Sequence, residues 1–168
     1  MQYGEFTYDR KSGGYYARHK LSNGQYCMIG LMEYYNNRTT DYWVVFAVAN
    51  KKKNLNGYFD ETKDNNITLK MTGTCGVEAL FWAKKMLIAF EHDVLPYVLE
   101  SGEKSKIIVT GEDARRFHLY ERALPRLGYY KSCVDGQMAM IKTFYAEDEI
   151  ENDLSGSCGY YTDPVVSV

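Results

Sequence analysis

Residues 72–80 read TGTCGVEAL, and this stretch decides how the chain is expected to fold. It follows the apolar segment Ile67–Met71, which predicts a β-strand, and it opens a segment from about Cys75 to about Val94 whose apolar spacing predicts an α-helix. A strand that turns through small residues straight into a helix leaves backbone N–H groups unpaired beside the positive end of the helix dipole. Such a turn is typical of phosphate and pyrophosphate sites.

A second strand–helix unit follows at once. Lys106–Thr110 predicts a short buried strand, and Glu112 to about Arg126 predicts a helix. Two further strands, Tyr129–Val134 and Gln137–Tyr145, flank Asp135-Gly136, which is a strong signal for a two-residue hairpin turn.

The first seventy residues predict β-structure. Tyr15–Lys20 and Gln25–Tyr35 flank the turn signal Asn23-Gly24, and Tyr42–Val48 is a nearly continuous apolar run that suits a central strand. A short helical turn is expected near Leu55. The whole pattern predicts an α+β or α/β fold with a central mixed, mostly antiparallel sheet and two main helices after the middle strand.

Composition predicts one domain with an acidic tail. The chain has 168 residues and is 45% hydrophobic, which suffices for one ordinary core. Residues 146–168 hold six acids and no Lys or Arg, so that residues 1–145 carry 20 basic against 16 acidic side chains, a net charge of +4. We expect a single domain over 1–145 and a flexible tail over 146–168. The mildly basic body fits a small anionic ligand and is too weakly charged to indicate nucleic acid.

Three classes of protein are disfavoured by the sequence. The four cysteines are far apart and form no CxxC pair, which argues against a zinc site. The N-terminus lacks the basic start and apolar run of a signal peptide, and no apolar stretch is long enough for a bilayer. We therefore expect a cytoplasmic protein with reduced thiols and no membrane partner.

The block Ile67–Tyr145 resembles the GNAT N-acetyltransferase superfamily. The resemblance is carried by the strand that runs into the small-residue turn and its helix, by the strand Lys106–Thr110 followed by RRFHLYER at 115–122, and by RLGY at 126–129. The last motif is similar to the family's lysine/arginine–x–glycine–aromatic ending before a final hairpin. Divergent members of this family occur among phage-encoded proteins, some of them virion components.

The resemblance implies that acetyl-CoA is the cosubstrate and that its pyrophosphate is held by backbone N–H groups of the turn. The central glycine of the motif is either Gly76 or Gly73, and the sequence leaves both registers open. Arg115 is a candidate for the 3′-phosphate of coenzyme A, because a guanidinium suits phosphate, with a solvated helix face as the alternative. The residues expected to bind the cofactor are Met71, Gly73, Thr74, Cys75, Gly76, Val77 and Arg115.

Direct acetyl transfer needs a proton donor for the leaving thiolate and a base for the amine. Tyr120 is the candidate acid, because the resemblance puts this Tyr-rich segment beside the cofactor thiol. Glu33 is the candidate base. In a chain with 16 tyrosines, packing with a hydrogen-bonded hydroxyl is the competing explanation for any one of them. The weaker alternatives are Tyr129 and Tyr130 as acid, and Asp41 and Glu78 as base.

Two functions follow from this pattern. The first is an acetyl-CoA-dependent N-acetyltransferase that transfers directly to an amine of a small molecule or a protein, with the cofactor at a splay between Ile67–Met71 and Lys106–Thr110. The second is a catalytically inactive GNAT-fold binding or structural protein, such as a phage virion or host-interaction component. The second function implies a protein partner or a homo-oligomer and a location in the host cytoplasm or the virion.

Overall fold

The computed structural model describes residues 2–36, 39–56, 76–99, 104–111, 114–146 and 161–162. The chain divides into two compact units, the first formed by Met1–Met32 and Val45–Leu95 and the second by Glu33–Val44 and Pro96–Val168. It has the α+β class predicted from the sequence. The prediction of a single domain stays a prediction.

The first unit contains an antiparallel run of strands in the order β1 (Gln2–Tyr3), β2 (Phe6–Asp9), β3 (Gly14–Lys20) and the part of β4 (Tyr26–Asn36) as far as Met32. The turn between β3 and β4 is the predicted one. Gly24 has φ of +84° there, a left-handed conformation that glycine adopts without steric cost.

The described residues of the first unit include the helices α1 (Lys52–Asn56) and α2 (Gly76–Asp93). Phe90 of α2 meets the rings of Phe6 and Tyr15 edge-on at centroid distances of 5.4 Å. Apolar spacing places Leu80, Ala83, Leu87 and Phe90 on one stripe of α2, but Leu80 and Ala83 are only half-buried. The first turn instead packs the small side chain of Ala79 inward, and the buried set is Ala79, Met86, Leu87 and Phe90.

Strands β4 and β5 (Thr39–Ala49) contribute residues to both units. After the short helix α3 (Leu95–Val98), the chain continues in the second unit. Its elements there are β6 (Lys104–Thr110), α4 (Ala114–Ala123), β7 (Tyr130–Val134) and β8 (Gln137–Tyr145). The strand order is β5-β6-β8-β7, with β5 parallel to β6 and the other two pairs antiparallel, so the sheet is mixed as predicted.

The predicted strand Ile67–Met71 lies outside the described residues, but its expected place beside β6 is wrong. Residues Thr39–Val44 of β5 pair with one edge of β6 as far as Val109, and β8 pairs with the other edge. A strand has only two hydrogen-bonding edges, so β5 is the parallel neighbour of β6.

The helix predicted to reach Arg126 ends earlier. α4 stops at Ala123, and Pro125–Leu127 form a 3₁₀ turn that ends at Gly128, which has φ of 87° and donates its N–H to the Pro125 carbonyl at 3.0 Å. Proline has no N–H to continue the α-helical bonds, which explains the early end. The tail expected to be flexible contains a two-residue strand, β9 (Tyr161–Thr162), which pairs with β8.

Candidate functional site

The N-terminus of α2 is the described part of the expected pyrophosphate turn. Of the expected binding residues here, Gly76 and Val77 are described, whereas Met71, Gly73, Thr74 and Cys75 lie outside the described residues. A Cβ atom added at Gly76 would meet no atom of the described residues within 4 Å. The Val77 side chain is 61% exposed. Among the described residues there is therefore space at the Gly76 Cβ position, at the end of α2 where the helix dipole is positive.

Glu78, a weaker candidate base, anchors the first turn of α2 to the β3–β4 hairpin. Its Oε1 and Oε2 accept the Ser22 N–H at 3.1 and 3.2 Å, and Oε2 also accepts the Ser22 hydroxyl at 2.7 Å. The Nε2 atom of His19 lies 3.7 Å from Oε1. A carboxylate committed to these contacts is better suited to holding the helix than to taking a proton from an amine.

The thiol of Cys27 lies beneath this anchor in a core cluster with Leu21, Val48 and Ala79, against which Trp82 packs. Burial raises the pKa of Cys27 to about 12, and the negative charge of Glu78 adds to the rise. The thiol is therefore protonated at neutral pH and unsuited to nucleophilic chemistry.

Glu33, the candidate base, lies half-buried on β4 between two phenols. The Tyr42 hydroxyl donates to Oε1 and the Tyr35 hydroxyl donates to Oε2, each at 3.4 Å. Tyr42 is buried and Tyr35 is 76% exposed. Tyr42 was missed by sequence reasoning, although its place one hairpin turn after Glu33 in a run of strand-forming residues was the signal available.

Tyr120, the candidate acid, lies half-buried on α4, and its backbone carbonyl accepts the Leu124 N–H at 2.9 Å. Arg115 is exposed near the start of the same helix. Of the alternatives to Tyr120, Tyr129 is buried, while the Tyr130 hydroxyl lies 3.4 Å from Oγ1 of Thr143. The weaker base Asp41 has a buried Oδ1 without a hydrogen-bond partner.

The predicted site residues divide between the two units. Glu33, Arg115 and Tyr120 belong to the second unit, whereas Gly76 and Val77 belong to the first. The structure therefore groups the candidate acid and base in one unit and the described part of the phosphate turn in the other.

α4 is tied to β7 by a charged cluster that the sequence did not reveal. Lys131 places Nζ 2.6 Å from Oε1 of Glu121, and His118 places Nδ1 3.3 Å from Oε2. The hydrogen bond from Lys131, followed by that from His118, lowers the pKa of Glu121. These three side chains hold the helix that carries Tyr120 and Arg115.

Lys142 on β8 is a buried lysine that sequence reasoning also missed. Its Nζ lies 5.1 Å from the ring centroid of Phe144 and 5.8 Å from that of Tyr129, within cation–π range of both. A lysine in the middle of the alternating run QMAMIKTFY was the signal available.

The described residues contain no cluster of three or more His, Cys, Asp or Glu side chains able to hold a metal ion. Over the same ranges, no helix has both the length and the hydropathy that a bilayer crossing requires. Comparison of the chain with protein-family models, with curated proteins and with solved structures gives no match.

Proposed function

We propose that this chain is an acetyl-CoA-dependent N-acetyltransferase that transfers the acetyl group directly to an amine. The order of elements supports the proposal: the parallel pair β5–β6 leads into α4 and then into the antiparallel hairpin of β7 and β8. A strand, a Tyr-containing helix and a closing hairpin in this order are what the family resemblance implies for the second half of the chain.

The observation that carries the proposal is the open N-terminus of α2. Within the described part of the chain, neither a positive φ nor close packing requires glycine at position 76, since a Cβ there would meet no described atom within 4 Å. Because glycine has no side chain, it allows a ligand to approach the backbone closely at this position. Coenzyme A brings a pyrophosphate, and the N–H groups of Gly76 and Val77 are donors at the positive end of an 18-residue helix.

The proposed chemistry uses one base and one acid. The amine nitrogen attacks the thioester carbonyl carbon, so that the C–N bond forms and the C–S bond breaks. Glu33 accepts the proton that the amine loses, and Tyr120 donates a proton to the departing thiolate. The phenols of Tyr35 and Tyr42, which already donate to Glu33, hold its carboxylate in one orientation.

A second candidate function, binding without catalysis, is favoured by one observation. Val77 and Phe81 are 61% and 68% exposed and lie one turn apart on α2. An exposed apolar pair at this spacing suits a protein partner. This function requires no affinity for coenzyme A.

The variant Gly76→Glu distinguishes the two candidate functions. The new carboxylate enters open space, so we expect normal folding, but its bulk and negative charge face the proposed pyrophosphate position and lower coenzyme A affinity by about a hundredfold or more. His92→Glu is the matched control, because it adds a carboxylate at an exposed position about 24 Å further along the same helix. Calorimetric titration measures both affinities. Equal affinities for the two folded variants would refute the proposed cofactor position.

A further inference from the structure

The sheet of the first unit carries different charges on its two faces. β3 turns one face towards α2, because its Tyr15 meets Phe90 of α2 edge-on at a centroid distance of 5.4 Å. Successive side chains of a strand point to opposite faces, so Tyr16, Arg18 and Lys20 of β3 lie on the second face. The acidic residues that α2 carries are on the first side of the sheet and therefore away from these two cations.

The helix α1 lies on the second face and adds three lysines to it. Its buried Leu55 belongs to a core cluster against which Tyr16 of β3 and Tyr26 of β4 pack. Residues 51–53 are three consecutive lysines, of which the last two begin α1. The helix therefore places these lysines on the same side of the sheet as Arg18 and Lys20. We call Arg18, Lys20 and residues 51–53 the basic face.

The charges of the basic face are not neutralised within the described part of the first unit. Lys20 and residues 51–53 are exposed, and Arg18 is half-buried. No ion pair joins any of these five cations to another described residue. The Nε atom of Arg18 is buried and has no hydrogen-bond partner. The face therefore keeps five positive charges for a partner from outside the described residues.

Asp9 of β2 is an acid that also lies on the second face, because its register partner is Gly14 of β3. Its carboxylate is committed to the turn between the two strands. It accepts the Lys11 N–H at 3.2 Å and the Ser12 hydroxyl at 2.8 Å. Asp9 therefore serves the turn and forms no ion pair with the basic face.

Five cations close together fit a polyanion, and the two tyrosines indicate which kind. The guanidinium carbon of Arg18 lies 4.4 Å from the Tyr16 ring centroid, and Nζ of Lys20 lies 6.0 Å from that of Tyr26. Both rings also pack against the core cluster of α1, so they are already engaged and make poor stacking platforms for bases. Single-stranded nucleic acid binds largely by such stacking. A duplex keeps its bases stacked inside and presents phosphates, which Lys and Arg bind without aromatic contacts.

We infer that the basic face binds duplex DNA through its phosphates, without reading the base sequence. The inference goes beyond the proposed acetyltransferase function and does not depend on it. The sequence-based expectation of no nucleic-acid partner rests on the net charge of residues 1–145, which is only +4. That sum hides the basic face, because it adds cations and acids that lie on opposite sides of one sheet.

A pair of matched double variants tests the inference. Lys52→Gln/Lys53→Gln removes two cations from the basic face, and Lys84→Gln/Lys85→Gln removes two from α2 on the other side of the sheet. The two variants have the same net charge, and thermal unfolding checks that both fold. Fluorescence anisotropy with a labelled duplex of mixed sequence and about 20 base pairs measures the affinity from about 50 to about 200 mM KCl.

We expect micromolar binding by the wild type at the lowest salt concentration. If each of the five cations neutralises one phosphate, the logarithm of the binding constant falls against the logarithm of the salt concentration with a slope of about −4.5. The slope should change to about −2.7 in Lys52→Gln/Lys53→Gln, with an affinity at least about tenfold lower at 0.1 M salt, and stay near the wild-type value in Lys84→Gln/Lys85→Gln.

Four results would overturn the inference. Absence of binding at about 50 mM KCl would exclude the partner altogether. Equal losses in the two double variants would show an attraction by net charge rather than by this face. Tighter binding of a single strand of the same sequence than of the duplex would indicate base stacking, and binding of polyglutamate as tight as that of the duplex would assign the face to an acidic protein segment.

Discussion

Burial and a neighbouring carboxylate both disfavour loss of the proton from the Cys27 thiol. Burial removes the thiolate from water, and the carboxylate of Glu78 opposes a second negative charge nearby. Both raise the pKa of the thiol, from 9.0 to about 12. The sequence does not indicate this, because Val48 of β5 and Ala79 of α2, which share the core cluster with Cys27, and Glu78 of α2 are far from it in the chain.

The raised pKa of Cys27 makes stability depend on pH. The unfolded thiol ionises near its ordinary pKa of 9.0 while the folded one stays protonated towards 12, so the contribution to stability is complete below pH 9 and is lost as pH rises to 12. Between pH 8 and pH 10.5, we expect the free energy of unfolding to fall by about 1–2 kcal/mol more in the wild type than in Cys27→Ala. Urea unfolding at the two pH values measures this difference. Cys133→Ala, at an exposed position, is the control. Parallel pH profiles for wild type and Cys27→Ala would contradict the raised pKa.

At the scale of elements, α4 is placed by close backbone contact with the end of β6. A Cβ added at Gly111 would lie 2.8 Å from the Phe117 nitrogen and 2.9 Å from its Cα. These are backbone atoms and cannot move aside singly. Gly111 therefore allows the helix that carries Arg115 and Tyr120 to pack directly after the strand.

Gly111→Ala should displace α4. We expect it to lower the free energy of unfolding by about 1–3 kcal/mol through overpacking. Gly76→Ala is the control, because its Cβ would meet open space and alanine favours the helix. Urea unfolding of the two variants gives the comparison. Equal stability for both would show that the contact between Gly111 and Phe117 is not tight.

Local sequence patterns predicted the turns better than they predicted which strands pair with each other. The turns at Gly24 and Asp135-Gly136 formed where expected, with φ of +84° at Gly24 and 50° and 79° at the other pair. The neighbour of β6 was predicted wrongly as Ile67–Met71, because pairing between strands far apart in sequence depends on long-range contacts that local pattern does not encode. For the same reason the bond from Ser22 to Glu78 was not foreseen.

For the whole molecule, the uneven distribution of charge is compatible with the anionic small ligand of the proposed function. Residues 1–145 carry 20 basic and 16 acidic side chains, while all six charged groups of residues 146–168 are acidic. In the proposed function this ligand binds at the N-terminus of α2, where a Cβ added at Gly76 would meet no described atom within 4 Å. Sequence predicted this helix end, whereas the surroundings of Glu33 required coordinates, because they are defined by the hydroxyl groups of Tyr35 and Tyr42.

The proposed binding of acetyl-CoA is tested most directly by calorimetric titration of the wild-type protein with acetyl-CoA and with coenzyme A. We expect saturable binding of both ligands in the micromolar range, since pyrophosphate recognition is common to them, and a weaker affinity at higher salt because charge contributes. No heat of binding from either ligand at millimolar concentration would contradict the proposed acetyltransferase function and leave binding without catalysis as the remaining candidate.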